Sequence, residues 1–357
     1  MSSHALEKAS IPVVSWPKVV RVLVAVGRWV GALTAAVTIF AVLLMIKGAH
    51  PLDAYSAMLT LAFGQQASVD QIVIRMAPLV LGALAVAIPA RAGLTNVGGE
   101  GQIIMGGVAA CGITLWLPET MPGPLLIVAM LLSAAIAGAL WAGLAAALRL
   151  IAGVNEAIST LLLNFVAIDV LLFLIYQPWR ETPAGQPSTK ELVDTAKLPL
   201  LSANSRINIG IVIALVVTLL VHLALTRTRW GFQISVAGGN SEAARRSGLN
   251  VPKLVLSALT IGGALAGIAG MIIFAGVEYK LRPGFGHQVG YTAFLVCWLA
   301  RHKPFPILVG AFLMATLAVA GDSLQIDSQI PSAAIYVLTA LILMAVLGFT
   351  TSRKAKV

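Results

Sequence analysis

Apolar residues fill this chain in long unbroken blocks separated by short polar or glycine-rich stretches, with neither the alternation of a half-buried strand nor the narrow stripe of a surface helix. Blocks of roughly 20 residues suit a helix crossing about 30 Å of hydrocarbon. Only helices and closed barrels satisfy their own backbone groups in lipid, and blocks this long without alternation read as helices. Ten spans are predicted, over residues 29–46, 72–90, 98–117, 125–148, 157–176, 209–225, 254–276, 288–300, 306–320 and 332–349. The eighth is short, and the second and third flank a glycine-rich break. Either region is a candidate for a discontinuous helix in place of a clean span.

Composition agrees with the pattern. The chain is 59% hydrophobic and 11% charged, with a mean hydropathy of +0.93, against about 25% charged residues in soluble domains. The fold class expected is therefore an all-α polytopic membrane protein. Its predicted organisation is an N-terminal tail (1–28), a transmembrane domain (29–350) and a short C-terminal tail (351–357).

Lysine and arginine orient it, because positive residues in short loops stay cytoplasmic. With the N-terminus inside, 16 of the 24 basic residues fall on the cytoplasmic side and 8 outside. An even number of spans keeps the basic residues after Phe349 inside as well, so both termini are expected in the cytoplasm. The net charge of +10 then needs no nucleic-acid partner, since cytoplasmic loops beside anionic lipid carry such an excess. Residues 1–26 show no cleavable signal pattern, so the first span is expected to remain in the mature protein. Cys111 and Cys297 fall within spans, without metal-ligand spacing, and read as small apolar residues.

Three segments interrupt the apolar pattern. In 93–107, Asn96, Glu100 and Gln102 lie among glycines, and a carboxylate at that depth costs several kcal/mol unless paired or facing water. The glycines read either as close helix packing or as an unwound segment lining a cavity; the density of Gly98, Gly99 and Gly101 favours the second. In 153–164, Glu156, Thr160 and Asn164 stand at i, i+4 and i+8 and form a polar stripe, which Asn155 and Ser159 widen. Such a stripe lines an aqueous path or bonds to a neighbouring helix, and Glu156 favours the path. In 227–253, a short surface helix is predicted, with Asn240 or Ser241 as its cap, Glu242 in its first turn, Arg245 and Arg246 in its last, and Gly248 and Pro252 ending it. A helix this short needs something to pack against, either the bundle itself or another protein.

These three segments, in this order, resemble the permease subunits of the ATP-binding cassette importers for simple sugars and nucleosides, within the larger group serving ribose and branched-chain amino acids. The first resembles the pattern Gly-Leu-x-Asn-x-Gly-x-Glu-Gly-Gln, matched by Gly93, Leu94, Asn96, Gly98, Glu100, Gly101 and Gln102. The second resembles Asn/His-Glu-x-Ile-Ser-Thr-x-x-x-Asn, matched by Asn155, Glu156, Ile158, Ser159, Thr160 and Asn164. The third is similar to Gly-x-Asn-x-x-Ala-Ala-x-x-x-Gly, matched by Gly238, Asn240, Ala243, Ala244 and Gly248. Around 297–304 the chain departs from the family, carrying CWLARHKP where a Leu-Leu-Gly and Asn-Pro pattern is common.

The resemblance implies a type II importer permease in a bacterial inner membrane. It would pair with a second, related permease above two cytoplasmic ATPase domains and receive a nucleoside or simple sugar from an extracytoplasmic binding protein. The chain has no Gly-x-x-x-x-Gly-Lys-Ser/Thr run, so ATP would be bound and hydrolysed by the partner, with no cofactor held here and no enzymatic activity of its own. The solute path would use Asn96, Glu100, Gln102, Asn155, Glu156, Thr160 and Asn164. The helix formed by Ser241, Glu242, Ala243, Ala244, Arg245 and Arg246 would couple to the ATPase, and loop 177–208 would meet the binding protein. A self-contained ion-coupled transporter with Glu100 or Glu156 as proton carrier is the alternative. A membrane-embedded enzyme is a weaker third, because the five histidines are too dispersed to form a site.

Overall fold

A computed structural model describes the backbone of residues 18–46, 48, 50–118, 120–182, 185–328, 337–338 and 340–341. Most of the tenth predicted span, much of the N-terminal tail and all of the C-terminal one lie outside the described residues. Twelve α-helices are described: α1 (Lys18–Ile46), α2 (Pro51–Phe63), α3 (Gln66–Arg91), α4 (Gly99–Trp116), α5 (Gly123–Ala152), α6 (Glu156–Tyr176), α7 (Gly210–Arg227), α8 (Arg229–Gly239), α9 (Ser241–Arg246), α10 (Val251–Ile273), α11 (Val289–Leu299) and α12 (Pro304–Ser328). Among the described residues the only sheet-like pairing is an isolated bridge between Leu200 and Asn208.

Six of these helices, α3, α5, α6, α7, α10 and α12, are long and apolar enough to cross a membrane, and the bent pair α1–α2 makes a seventh. Helix α2 is a departure from the sequence reading, which left residues 47–71 as a connection. It turns 112° from α1 and opens with Pro51, whose missing N–H costs nothing at a first helical position. The two predicted spans that do not qualify are α4, whose first turn is polar and glycine-rich, and α11. With 11 residues, α11 is about 16 Å long and reaches only about halfway across the hydrocarbon.

The bundle is built around α3 and α10. In their apolar windows 83% and 72% of residues are buried, against 28% in α5 and 33% in α6 and α7. The outer helices instead turn side chains such as Leu132, Leu140, Phe165, Phe173 and Leu219 outward. Small residues let α10 sit at the centre. Gly263 and Gly267 meet the α5 backbone at Gly138 and Ala134, while Gly106 of α4 lies against Gly267, with no space for a Cβ at any of them. Lipid tails are as apolar as leucine, so contact between helices depends on this close packing rather than on excluding water.

The chain's turns gather at two ends. At one end, residues 91–98, 149–160 and 227–239 lie together, joined by contacts such as Gly93 with Gly238 and Glu156 with Thr95. At the other, the start of α3, loop 177–208 and the end of α10 meet through Asp70 with Arg206 and Leu198 with Ala275.

Candidate functional site

Between α3 and α4 the chain is non-helical over residues 92–98. Gly93 turns it at φ 75°, in the left-handed region that glycine adopts without steric cost. The stripe on α6 faces this break and binds its backbone. Glu156 Oε1 accepts from the Thr95 N–H (3.0 Å), Thr160 Oγ1 from the Val97 N–H (3.2 Å), and Asn164 Oδ1 from the Gly101 N–H (2.8 Å). The Asn164 amide also donates to the Val97 carbonyl (3.0 Å) and the Tyr291 hydroxyl (3.2 Å). Inside the break, Asn96 and Gln102 exchange two side-chain hydrogen bonds of 3.0 and 3.1 Å, and the Asn96 oxygen caps the Gly98 N–H at 3.0 Å. A residue-by-residue match of side-chain acceptors to free backbone donors lets an unwound segment survive inside a bundle.

Six of the seven path residues expected from sequence are thus brought together and buried: Asn96, Glu100, Gln102, Glu156, Thr160 and Asn164 are each at most 5% exposed. The chain is unwound over 92–98, while Gly99 and Gly101, whose density favoured an unwound cavity lining, are helical in α4, and side chains take up the free backbone groups. The glycines themselves serve packing, because Gly98 lies on Thr160, Gly101 on Asn164 and Gly99 on Gly290. Asn155 stands apart. It is exposed and caps α6 by accepting from the Ala157 N–H at 2.8 Å. Glu156 also pairs with Arg149 at the end of α5, which neutralises its charge where the α6 dipole already favours an anion.

Glu100 has a different partner. Its carboxylate accepts from the backbone N–H groups of Gln288 (2.6 Å) and Gly290 (2.7 Å), the donors left open at the start of α11. A buried carboxylate on one helix thereby fixes the first turn of a short helix nearly 190 residues away.

The loop after α7 holds two helices where one was expected. Helix α8 begins under a Thr228 cap, whose side chain accepts from the Gly231 N–H at 3.1 Å, and Trp230 Nε1 donates to Ser257 on α10 (3.0 Å). At its far end Gly238 lies directly against Arg91 and Gly93, with no room for a side chain. Helix α9 follows as the sequence indicated: Asn240 accepts from the Ala243 N–H at 3.0 Å, Ala244 is buried, and Gly248 closes the segment at φ 82°. Glu242 holds both Arg245 (2.7 Å) and Arg246 (3.1 Å). Those hydrogen bonds keep the Glu242 carboxyl below the usual carboxylate range.

The opposite end is organised by residues that sequence reading did not single out. Asp70 accepts from the Arg206 N–H (2.7 Å) and from Gln66 (2.9 Å), tying loop 177–208 to α3. Asn208 donates to the Gly276 carbonyl (2.9 Å) and accepts from the Gly210 N–H (2.9 Å). Asp70, a lone acid just before an apolar block, carried a signal that could have been read. Asn208 and Tyr291 carried none, because their partners are set by tertiary packing.

In the turn between α11 and α12, Arg301 and His302 both take positive φ, 52° and 58°. The family pattern from which the chain departs there carries glycine and asparagine, the residues that accept this conformation most readily. His302 Nδ1 lies 3.2 Å from Cys297 Sγ. Burial, and then the Arg91 charge, pull its pKa below the ordinary histidine value. Both effects disfavour the charged form of the ring.

The chain is 31% identical to the glucose ABC transporter permease protein of Haloferax volcanii over 90% of its own length and 86% of the relative's. It is 28% identical to the guanosine ABC transporter permease protein of Bacillus subtilis, covering 86% of this chain and 88% of the relative. It is 26% identical to a nucleoside ABC transporter permease protein of Lactococcus lactis, covering 85% of each. In all three organisms a second permease protein also matches, with less of this chain covered. Residues 68–347 match the family model described as branched-chain amino acid transport system / permease component, so the chain belongs to that family and is a multi-pass membrane permease of an ABC transporter, not an enzyme.

Proposed function

We propose that this chain is one of two permease subunits of an importer that moves a nucleoside or simple sugar inward, driven by a cytoplasmic ATPase and supplied by an extracytoplasmic binding protein. The observation that carries the reading is the Gly238–Gly93 contact, which sets the α8–α9 loop directly on the break between α3 and α4. A movement imposed on α9 would pass through α8 to the break, and from there through Asn164 and Glu100 to α11. The coupling residues are Asn240 to Arg246 and Gly248. Arg245 and Arg246 are 73% and 79% exposed, so they can exchange Glu242 for acidic groups on the ATPase.

Asn96, Glu100, Gln102, Glu156, Thr160 and Asn164 serve the path by holding its movable wall. The frame is built from hydrogen bonds that break and reform with little net cost when backbone and solute groups exchange. Ten crossings, counting α4 and α11 as partial ones, would put both termini on the cytoplasmic side of a bacterial inner membrane, an orientation supported by the basic residues of the 91–98, 149–160 and 227–239 end. Support for a nucleoside or sugar comes from the names of the relatives, and support for a second permease from their occurrence in twos. No cofactor is needed on this chain, since ATP is bound and hydrolysed by the partner.

Co-purification from native membranes tests the assignment, followed by a ligand screen on the binding protein recovered. Recovery with an ATPase, a second permease and a binding protein that holds nucleosides or monosaccharides is expected. A chain that is active alone, with uptake that follows a proton gradient and ignores loss of the ATPase, would overturn it.

A further inference from the structure

The connection from α10 to α11 leaves regular helix inside the bundle. Helix α10 runs into a π-helical turn, Phe274–Glu278, a form that recurs at functional sites. The chain then descends along α4: Phe285 packs on Gly107, Gly286 lies near Ile103, and Gln288 reaches Glu100. Non-helical backbone at such depth is tolerated where protein covers it or where it lines a cavity.

A cavity of about 350 Å³ lies here, bounded by α3, the π-helical turn, residues 282–289, α11 and α12. That is the lower end of the roughly 300–1,000 Å³ range of small-molecule pockets, a size for one small solute. Leu79, Val277 and Met314 give it apolar walls, and Arg75, Glu278, Arg282, His287, Gln288 and Thr292 give it polar ones. The charges are matched. Arg75 pairs with Asp322 at 2.6 Å and Arg282 with Glu278 at 3.1 Å. Glu278 is the one carboxylate among the described residues of the wall, and each lining guanidinium is already paired, so an entering ion finds no free counter-charge, while a neutral hydroxyl group finds donors and acceptors.

Loop 177–208 grips the back of the same wall. The Leu198 N–H donates to the Ala275 carbonyl (2.8 Å), the Leu192 N–H to the Tyr279 carbonyl (2.8 Å) and the Thr189 N–H to the Leu281 carbonyl (3.0 Å). Ala275, Tyr279 and Leu281 stand one or two positions from the lining residues Val277, Glu278 and Arg282, so the loop abuts the cavity wall directly.

Resting on the permease reading above, we infer that this cavity is a solute station that binds one neutral, hydroxyl-rich molecule, with Glu278, Gln288 and Thr292 as its hydrogen-bonding partners. The test uses the complete transporter with Val289→Cys or Ala318→Cys, which lie on different walls; Cys111 and Cys297 are both buried. A small hydrophilic methanethiosulfonate is added from the extracytoplasmic side. Labelling at either position should cut uptake at least about fivefold while wild type is unaffected, and uridine or glucose at saturating concentration should slow labelling where uridine monophosphate does not. Absence of labelling, labelled transporters with undiminished uptake, or equal protection by the monophosphate would each overturn the inference. Protection is read without ATP, so a wild-type complex that lacks ATP-dependent uptake sinks the permease reading separately, and labelling still decides the cavity.

Discussion

At the scale of single residues, Asn164 joins more of the molecule than any other polar side chain described here, because it binds α4, the break and α11 at once. Asn164→Leu leaves the Gly101 N–H, the Val97 carbonyl and the Tyr291 hydroxyl without that partner. At about 1–3 kcal/mol for each buried group, a loss of roughly 3 kcal/mol is expected. Thr160→Val removes one such bond and should cost about 1 kcal/mol, with Thr160→Ser near neutral. Thermal unfolding of the purified complex should rank the three in that order, and uptake should fall with Asn164→Leu. Equal midpoints for Asn164→Leu and Thr160→Ser would sink the framework assignment. His302 adds a pH dependence with a definite sign. Its folded pKa lies below the ordinary value, so its contribution is present above that value and is lost as pH falls through the folded one, when the ring must charge beside Arg91. His302→Gln should therefore narrow the stability difference between about pH 7 and about pH 5; an undiminished difference would assign the acid sensitivity elsewhere.

At the scale of elements, the informative contrast is between what the stripe 156–160–164 disclosed and what it hid. Its period of four put three polar groups on one face of a helix, and that much could be read without coordinates. Its partner could not, because the partner is backbone some 60 residues away that exposes donors only because it is unwound. The same holds for Glu100, whose polarity was conspicuous while its destination, the open N–H groups of α11, depends on how the α10–α11 connection folds back. Helix α2 escaped for another reason: its 13 residues are too few to register as a span, and the sharp turn before it separates it from α1. In the proposed mechanism, coupling runs through helix α8. A methyl group at Gly238 would run into the Arg91 carbonyl. Gly238→Ala should push α8 off the α3 end, leaving ATP hydrolysis in the complex while solute moved per ATP falls severalfold. A variant with unchanged stoichiometry would show that the contact transmits nothing.

At the scale of the whole molecule, the two ends of the bundle are mechanically distinct. One end holds the break, the α6 stripe and the α8–α9 loop; the other holds the charged cavity and the loop stitched across its wall. They are linked by α3, α4 and α11, with Glu100 and Asn164 at the crossing. Composition and positive charge made the helical membrane class legible, and three motifs made the family legible. The cavity was not, because Arg75, Glu278 and Thr292 come from three helices and look in sequence like isolated polar positions. The most direct measurement is nucleoside and monosaccharide uptake into proteoliposomes by the complete complex, with and without ATP, beside the same chain reconstituted alone. Solute accumulation that requires ATP, the ATPase and the binding protein, with none by the isolated chain, is the predicted result; accumulation by the isolated chain under a proton gradient, unaffected by ATP, would contradict the account.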